Sequence, residues 1–443
     1  MMKPYPWQEP LIDAVVASIL RDNVFVSGFP TGSGKTVIAL AAAKRLNRPH
    51  LVVAPKVALT QWRRTADAMG CGDRLVDVVN PEKISSPRGC SWYDRATKWH
   101  LPQGTLVTWD EPHRSASGPD SVSACAMAEL KAYPGFALHA MSATIADSPM
   151  KLRAVGYWTG LHRWNMASYT KFLFDHGCAS VVVKRTPPIR RAIKFTSVKS
   201  EARRHMLALR SEMGGKFMSL RPEEIPGFPE QTVKTLLVDL SARDAAEIDR
   251  IHASMSERLL RASPNDMAEI GHERERIEIL LAPALAELAV SAVENGESAV
   301  VFWNFTEPRL AFEKLLSDVD VAFASVHGGQ KDDARQDGID RFQRNEVFVA
   351  SVMLEAGGAA LSLHDELKAR PRVSFIPPAW RADSVKQCLG RIRRCNGTNV
   401  TQNFVLAAGT VQERVAKSLE RKLENLDFLN DGDFQPQERH DDT

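Results

Sequence analysis

A short run of small and charged residues offers the clearest chemistry in this sequence. Residues 29–36 read F-P-T-G-S-G-K-T, between the β-branched run 23–27 and the helix-like run 37–44. Small residues let backbone N–H groups turn inward around an anion, and a helix start adds unpaired donors and a favourable dipole. The pattern therefore predicts a phosphate-binding loop. The residues expected to bind the phosphates are Thr31, Gly32, Ser33, Gly34, Lys35 and Thr36.

Two side chains of this loop have specific expected roles. Lys35 would reach the β- and γ-phosphates as a point charge, and the Thr36 hydroxyl would bind Mg²⁺. Phe29 stands where the full loop pattern has glycine, and Gly28 comes one position earlier. We expect Phe29 at the rim of the loop, where it leaves the phosphate-binding part complete. The alternative is a glycine-rich turn in which Lys35 is only solvated.

Acidic residues follow a second apolar strand. The run T-L-V-T-W at 105–109 leads into Asp110, Glu111 and His113. Asp110 would hold Mg²⁺, and Glu111 would orient and deprotonate the attacking water. His113 lies two residues further on, where it can sense the γ-phosphate region. The hydroxyls of Ser142 and Thr144, after the strand-like run 137–141, would bridge to this acidic strand end.

A basic helix is predicted far along the chain, at 384–394. Arg391 and Arg394 are three residues apart, so both would project from one face, with Gln387 one turn earlier. Guanidinium groups are planar and always charged, which suits the spreading charge of a transferring phosphoryl group. The alternative is a basic helix face that is only solvated or contacts DNA.

Two further segments suggest ligand contacts. Gln8 follows an aromatic residue about 25 positions before the loop, and its amide could read an adenine edge. The apolar strand 51–55 ends at Pro55 and Lys56, a strand end that suits contact with a nucleic-acid phosphate. Either segment could equally be an ordinary surface or turn.

Strand-like and helix-like runs alternate around these residues. The strands near 26, 51–55, 105–110 and 137–144 predict a parallel, doubly wound sheet with ligands at the strand carboxyl ends. A second α/β block begins near 231, after Pro-rich sequence. The predicted division is an N-terminal domain at 1–186, a linker at 187–230, a C-terminal domain at 231–428 with a helical segment at 241–295, and a disordered tail at 429–443.

Composition narrows the class of protein. The 443 residues are too many for one ordinary core, and 44% hydrophobic with 25% charged residues is typical of a soluble globular chain. A net charge of +3 neither requires nor excludes nucleic acid. Six scattered cysteines without a C-x-x-C pair suggest neither zinc nor a disulfide framework, and reduced thiols fit a cytosolic protein. No apolar run is long enough to predict a membrane span, and no signal peptide is indicated.

The ordered motifs resemble a superfamily-two helicase core, and more specifically the Swi/Snf-like DNA translocases with their compact bacterial and phage relatives. Residues 110–113 resemble its D-E-x-H box of the DEAH type, and 387–394 fit the pattern Q-x-x-G-R-x-x-R. The likeness covers about residues 5–425. Its other motifs lie at Gln8 and at 31–36, 54–62, 142–144, 217–227 and 355–363.

The resemblance implies two tandem RecA-like domains, each a mostly parallel sheet flanked by helices, with an ATP cleft between the two lobes. One wall would provide Lys35, Thr36, Asp110 and Glu111, and the other Gln387, Arg391 and Arg394. ATP and Mg²⁺ are the implied cofactors, and Gly358 is an implied ATP-binding residue. DNA is the implied partner of a monomeric protein, with mainly backbone contacts and little sequence preference. The implied nucleic-acid-binding residues are Pro55, Lys56, Trp303, His327, Gly328 and Ser351.

Three functions follow from these observations. The first is a DNA-dependent ATPase that translocates and remodels forks or branched DNA in the cytoplasm of a bacterial or phage-infected cell, associated with the nucleoid. The second is an RNA helicase with the same core. The third is a nucleic-acid-binding clamp with little ATPase activity. Neither the polarity of translocation nor a recruiting partner can be read from the sequence.

Overall fold

Two compact units make up the described part of this protein. The structure is a computed structural model that describes residues 2–86, 90–96, 98–116, 121–143, 146, 148–184, 190–196, 198–261, 264–354, 362–377 and 388–413. One unit runs to Pro226 and the other begins at Gly227. Each unit contains one sheet of six parallel strands with helices packed against it. The predicted α/β class with two tandem RecA-like domains is thereby confirmed.

In the first unit, the sheet has the strand order β10-β1-β7-β6-β2-β3. Two short antiparallel pairs, β4 with β5 and β8 with β9, lie outside it. The strands are β1 (Val24–Gly28), β2 (His50–Val53), β3 (Leu75–Val79), β4 (Tyr93–Asp94), β5 (Lys98–Trp99), β6 (Leu106–Asp110), β7 (Ala137–Met141), β8 (Cys178–Lys184), β9 (Arg190–Phe195) and β10 (Phe217–Ser219). The helices are α1 (Glu9–Asp22), α2 (Lys35–Leu46), α3 (Leu59–Ala68), α4 (Pro81–Ser85), α5 (Pro112–Ser115), α6 (Val122–Glu129), α7 (Arg153–Thr159), α8 (Met166–Asp175) and α9 (Lys199–Met213).

Both faces of this sheet are covered. Along β1, Val24 and Val26 pack into one apolar cluster with α6, α7 and α8, and Phe25 packs into another with α1 and α2. Alternate side chains of a strand point to opposite faces, so a sheet covered on both sides needs strands that are apolar throughout. This is why the central strands appear in the sequence as unbroken apolar runs.

In the second unit, the sheet has the strand order β11-β16-β15-β12-β14-β13. Val301 and Trp303 of β12 pack with α10, α11 and α12, while Val300 and Phe302 pack on the opposite face. The strands are β11 (Gln231–Val238), β12 (Ser298–Trp303), β13 (Phe323–Val326), β14 (Val349–Met353), β15 (Arg372–Ile376) and β16 (Val400–Ala407). The helices are α10 (Ala242–Arg261), α11 (Pro264–Glu294), α12 (Thr306–Asp318) and α13 (Asp332–Gln343).

The segment predicted as a linker has structure of its own. Within 187–230 lie β9, α9 and β10, and β10 pairs in parallel with β1, with Ser219 opposite Gly28. β10 was missed in the sequence because this strand has three residues, its side chains are only half-buried, and Pro-rich sequence follows it. The predicted domain limits remain a prediction, and the predicted tail lies outside the described residues. Among the described helices, none is long and apolar enough to cross a membrane.

A row of buried polar side chains crosses the first sheet. Ser27 Oγ and His139 Nε2 are 2.6 Å apart, joining β1 to β7, and His50 Nε2 and Thr108 Oγ1 are 2.8 Å apart, joining β2 to β6. Both imidazoles are about 1% exposed. Burial lowers the pKa of His50 and of His139 to about 3, so both rings are neutral in the folded protein.

These histidines predict a loss of stability in mild acid. In the unfolded chain they take up protons below about pH 6.5, whereas the folded protein keeps them neutral down to about pH 3. Lowering the pH from 7 to 5 should therefore remove roughly 2 kcal/mol of folding free energy per histidine. Urea unfolding at both pH values measures this loss. A His50→Gln variant should show a smaller drop, and an equal drop would contradict the assignment.

Candidate nucleotide-binding site

The predicted phosphate-binding loop lies between β1 and α2, and α2 begins at Lys35. Gly32 and Gly34 have φ angles of 89° and 77°, in the left-handed region that glycine adopts without steric cost. The Lys35 ammonium donates to the carbonyl oxygens of Phe29 at 3.0 Å and Pro30 at 3.1 Å. The loop therefore curves around the ammonium group, beside the unpaired N–H groups of a helix start.

Gln8 belongs to this loop. Its side chain is 1% exposed, its Nε2 donates to the Ser33 carbonyl at 2.9 Å, and its Oε1 accepts from the Tyr5 backbone N–H at 2.9 Å. A β-carbon at Gly34 would lie 2.5 Å from Gln8 Nε2, so the two positions fit each other only because residue 34 is glycine. The structure thus brings Gln8 to the loop, and adenine recognition by Gln8 remains a prediction.

Phe29 has a different position from the one expected at the rim of the loop. Its ring is fully buried in the apolar cluster that joins α1 and α2 to the sheet, beside Ile12, Phe25 and Ile38. It is not among the described residues with a positive φ angle, so its backbone does not require glycine. The departure from the loop pattern is explained by core packing: the side chain points away from the loop.

Replacing Phe29 should therefore cost stability. A Phe29→Ala variant would leave a cavity under the loop, and we expect a loss of about 3–5 kcal/mol in the free energy of unfolding. Chemical denaturation measures the loss. A matched Phe174→Ala change, at a ring that is 47% exposed, should cost far less. Equal stability of the Phe29→Ala variant and the unmodified protein would show that the ring is not part of the core.

The predicted acidic residues lie at the carboxyl end of β6. Asp110 is 9% exposed, and Trp62 Nε1 of α3 donates to its Oδ2 at 3.3 Å. Glu111 follows with φ 55° and ψ 53°, a left-handed conformation that is uncommon for residues other than glycine and is concentrated at functional sites. Trp62 is a residue whose contact with the acidic site sequence reasoning missed. The sequence placed Trp62 only within the motif at 54–62, with no contact to the acidic residues.

Ser142, as predicted, bridges to the acidic strand end. Its Oγ donates to Glu111 Oε2 at 2.6 Å and lies 3.3 Å from His113 Nδ1. The same His113 nitrogen is 3.4 Å from Glu111 Oε2, so the three side chains form one triangle. Backbone bonds fix this triangle to the sheet, because Glu111 N–H donates to Met141 O and Ser142 N–H to Ser27 O. Thr144, also predicted to bridge, lies outside the described residues, as do Gly358 and Gln387.

The predicted basic helix ends earlier than expected. Residues 388 and 389 are the last helical ones, and a turn follows at Gly390 and Arg391. Arg391 and Arg394 therefore do not project from one helix face, and this part of the prediction was wrong. At this turn Arg391 N–H donates to Cys388 O, and Arg391 O accepts from Leu363 N–H. Arg391 is 3% exposed, and burial together with the nearby Arg391 charge lowers the pKa of Arg394 to about 9.

The residues predicted to contact nucleic acid divide into two groups. Lys56, after β2, and Gly328, after β13, are exposed, and Pro55 and His327 beside them are half-buried. Burial, with a contribution from the Arg309 charge, lowers the pKa of His327. Trp303 and Ser351 differ, because both side chains are fully buried within the second sheet. A nucleic-acid contact at either of these two positions would have to use the backbone.

Thr36 and Asp110 are the residues that could hold a metal ion. Hydroxyl and carboxylate oxygens are the donors that Mg²⁺ takes, and Mg²⁺ binds with only one or two protein ligands when phosphates and water complete its shell. Asp110 fits this use because it stands at a strand end with its Oδ2 oriented by Trp62. In the described residues no group of three or more His, Cys, Asp or Glu could hold a metal ion.

The fold and this site define an α/β protein in which a glycine-containing loop at a helix start and an acidic strand end belong to one sheet. Residues 1–147 match the family described as "Type III restriction enzyme, res subunit". A putative ATP-dependent RNA helicase of Acanthamoeba polyphaga mimivirus is 23% identical over 474 residues, which cover 98% of this chain and 84% of that protein.

Two solved structures are also similar in fold at low identity. The Sulfolobus solfataricus SWI2/SNF2 ATPase core in complex with dsDNA is 16% identical, with a TM-score of 0.38 over 95% of this chain and 92% of that one. The Sulfolobus solfataricus SWI2/SNF2 ATPase core domain is 16% identical, with a TM-score of 0.39 over 95% and 90%. The family match and the viral relative confirm the recognition of a superfamily-two helicase core. The Swi/Snf-like character, which the motifs at 355–363 and 387–394 predict, remains a prediction.

Ser142 is expected to matter for turnover rather than for nucleotide affinity. A Ser142→Ala variant removes the hydroxyl that orients Glu111 and His113 while the backbone bond to Ser27 remains. We expect kcat for ATP hydrolysis to fall about tenfold to a hundredfold, with a nearly unchanged Kd for ATP. A matched Ser168→Ala change, at a half-buried hydroxyl of α8 that accepts from the Arg163 N–H, should leave both constants unchanged. A fall in affinity without a fall in kcat would contradict this role.

Proposed function

We propose that this chain is an ATP-dependent DNA translocase or helicase that couples ATP hydrolysis to movement along DNA and remodels forks or branched structures. The observation that supports it best is the triangle of Glu111, His113 and Ser142. This triangle stands at the carboxyl ends of β6 and β7, in the same sheet whose strand β1 leads into the phosphate-binding loop. Ligands of open α/β sheets bind at this edge.

Glu111 is proposed as the base that deprotonates water. Among the described residues, its side-chain contacts fall on Oε2, which accepts from Ser142 and faces His113. Oε1 is thus left to accept the proton of a water molecule positioned for attack on a phosphoryl group. The Ser142 bond fixes the rotation of the carboxylate, so that orienting it costs little at the moment of reaction.

Substrate binding is proposed for the loop and its neighbours. Lys35 would exchange its bonds to the Phe29 and Pro30 carbonyls for phosphate oxygens, which are stronger acceptors because they are charged. The Mg²⁺ ion, held by Thr36 and Asp110, would neutralise the charge that develops on the phosphates. Arg391 and Arg394 keep their proposed role in hydrolysis, with the correction that Arg391 lies on a turn and Arg394 in the irregular segment after it, rather than both on a helix.

Contact with nucleic acid is proposed at the exposed strand ends. Lys56 and Gly328 follow β2 and β13 at the carboxyl edges of the two sheets. A cation and an uncrowded backbone N–H both suit phosphate oxygens, which carry no sequence information. This supports binding along the backbone with little sequence preference. Movement follows if ATP binding changes how firmly each unit holds that backbone.

RNA is the second candidate substrate. It is favoured by the viral relative, whose printed name is that of a putative RNA helicase and which matches 98% of this chain. DNA is favoured by the resemblance of the motifs at 355–363 and 387–394 to those of Swi/Snf-like translocases. The two candidates share the same site chemistry, so only the activating polymer separates them.

Steady-state ATP hydrolysis with different polymers tests the proposal. We expect duplex or forked DNA to raise kcat more than RNA does. A Lys35→Ala variant should lose hydrolysis in every case, because the phosphates then lose the ammonium group that would bind them, while its thermal unfolding should change little. Strand displacement and triplex displacement on defined forks then distinguish unwinding from movement on duplex.

A matched control for Lys35→Ala is Lys171→Ala, at an exposed ammonium group of α8 that pairs with Asp175. Stronger stimulation by RNA than by DNA would make the RNA helicase the better assignment. Hydrolysis that no polymer stimulates would contradict both, and leave a binding clamp. Normal hydrolysis by the Lys35→Ala variant would show that the loop does not bind the phosphates.

A further inference from the structure

Positive charge is concentrated in one part of the first unit, the basic arm, which we define as β8, β9 and α9. Residues 178–213 hold nine of the 57 Lys and Arg residues but only two of the 54 Asp and Glu residues. This segment therefore carries +7 while the whole chain carries +3, and the rest of the chain is net negative. None of the residues discussed above as ligand contacts belongs to the basic arm.

The inner side of the basic arm is anchored in the core. Cys178 and Phe195 face each other across the β8–β9 pair, and both pack into the apolar cluster of the first unit. On α9, Leu209 is 1% exposed in the same cluster, with Met206 packed against it. The described strands and helix of the arm are thus anchored to the core of the first unit.

The outer side of the arm exposes cations that lack acidic partners. Lys194 and Arg204 are exposed, and no ion pair is formed by either within the described part of the chain. The two carboxylates of the arm are engaged elsewhere: Glu201 accepts from the Thr196 hydroxyl at 2.8 Å, and Glu212 lies 3.1 Å from His176 Nε2. Exposed cations without acidic partners, carried by elements that are anchored in the core, fit a polyanion.

The arm also continues into the strand beside the phosphate-binding loop. After α9 the chain forms β10, which pairs with β1 so that Ser219 faces Gly28. The Arg210 guanidinium lies 5.8 Å from the centre of the Phe217 ring, and that ring approaches to 3.1 Å of the position a β-carbon would take at Gly28. A displacement of α9 would therefore move the Phe217 ring, which packs against Gly28 just before the loop.

We propose that the basic arm is a second nucleic-acid-binding surface, which holds backbone phosphates through Lys194 and Arg204. The proposal rests on the proposed function for its partner, and adds a contact outside the residues that the helicase motifs assign. Nucleic acid is the partner that fits best, because a run of phosphates matches several fixed cations at once. The shared chemistry is the phosphodiester backbone of DNA or RNA.

Direct binding tests the arm. Fluorescence anisotropy measures the affinity of the full chain for labelled duplex DNA, single-stranded DNA and single-stranded RNA over a range of salt concentrations. For a Lys194→Gln/Arg204→Gln variant we expect binding weakened about tenfold and a salt slope reduced by roughly 1.8 for duplex DNA or 1.4 for a single strand, the loss of two phosphate contacts. Thermal unfolding should be unchanged, since both side chains are exposed.

The matched control removes the same number of positive charges, at two arginines that share an acidic partner. Arg250 and Arg276 are 71% and 62% exposed, and both pair with Glu247. An Arg250→Gln/Arg276→Gln variant should keep the affinity and the salt slope of the unmodified chain. Equal affinities and slopes for the two double variants would overturn the proposal, because the arm would then contribute nothing beyond net charge.

The polymer concentration that half-activates hydrolysis separates this proposal from the proposed function. The arm variant should need about tenfold more polymer and reach the same maximal rate. A chain that binds through the arm but whose hydrolysis responds to no polymer would contradict the proposed function and leave the arm assigned. A chain that binds none of the three probes would overturn both.

Discussion

The hydrogen bonds of the parallel ladder between β1, β7 and β6 determine the chemistry of the first unit. Ser142 N–H is bonded to β1 and Glu111 N–H to β7, so the residues just past two strands are fixed relative to a third. Because parallel strands end at the same edge, residues far apart in sequence meet there. The triangle of Glu111, His113 and Ser142 follows from this register, and a shift of one residue would turn its side chains to the other face.

Buried polar side chains also join the strands of the first sheet that lead to this edge. The bond between Ser27 and His139 joins β1 to β7, and the bond between His50 and Thr108 joins β2 to β6. The His50 and Trp62 rings pack edge to face with their centres 6.5 Å apart, and Trp62 Nε1 donates a hydrogen bond to Asp110. Polar groups so deeply buried are costly unless they are bonded, which favours one arrangement of the strands over its alternatives.

Much of this could be predicted from the sequence because the signals were local. The loop at 31–36 and the acidic strand end at 110–111 each combine a residue pattern with the element that positions it, and the unbroken apolar runs identified the central strands.

Features that depend on tertiary packing were missed or misplaced. Phe29 was expected at a rim because a pattern does not show where a ring points. The turn at Arg391 depends on a bond to Leu363, which no helical periodicity reveals. The strands β10 and β16 went unrecognised because the first is short and the second contains polar residues.

The order of strands in the second sheet bears on how this chain folds while it is being synthesised. β11 is the first strand of that unit along the chain, and its neighbour among the described strands is β16, the last one. Gln231 therefore cannot pair with Val400 until nearly the whole unit has been synthesised. On a ribosome the first unit can close once β10 has emerged, whereas β11 stays unpaired through the synthesis of everything between. It is an edge strand with Val233 and Leu237 42% and 48% exposed even in the finished fold. An unpaired apolar strand is a template for wrong partners. Until β16 emerges, the nascent second unit therefore presents an unpaired strand edge on which wrong pairing can begin.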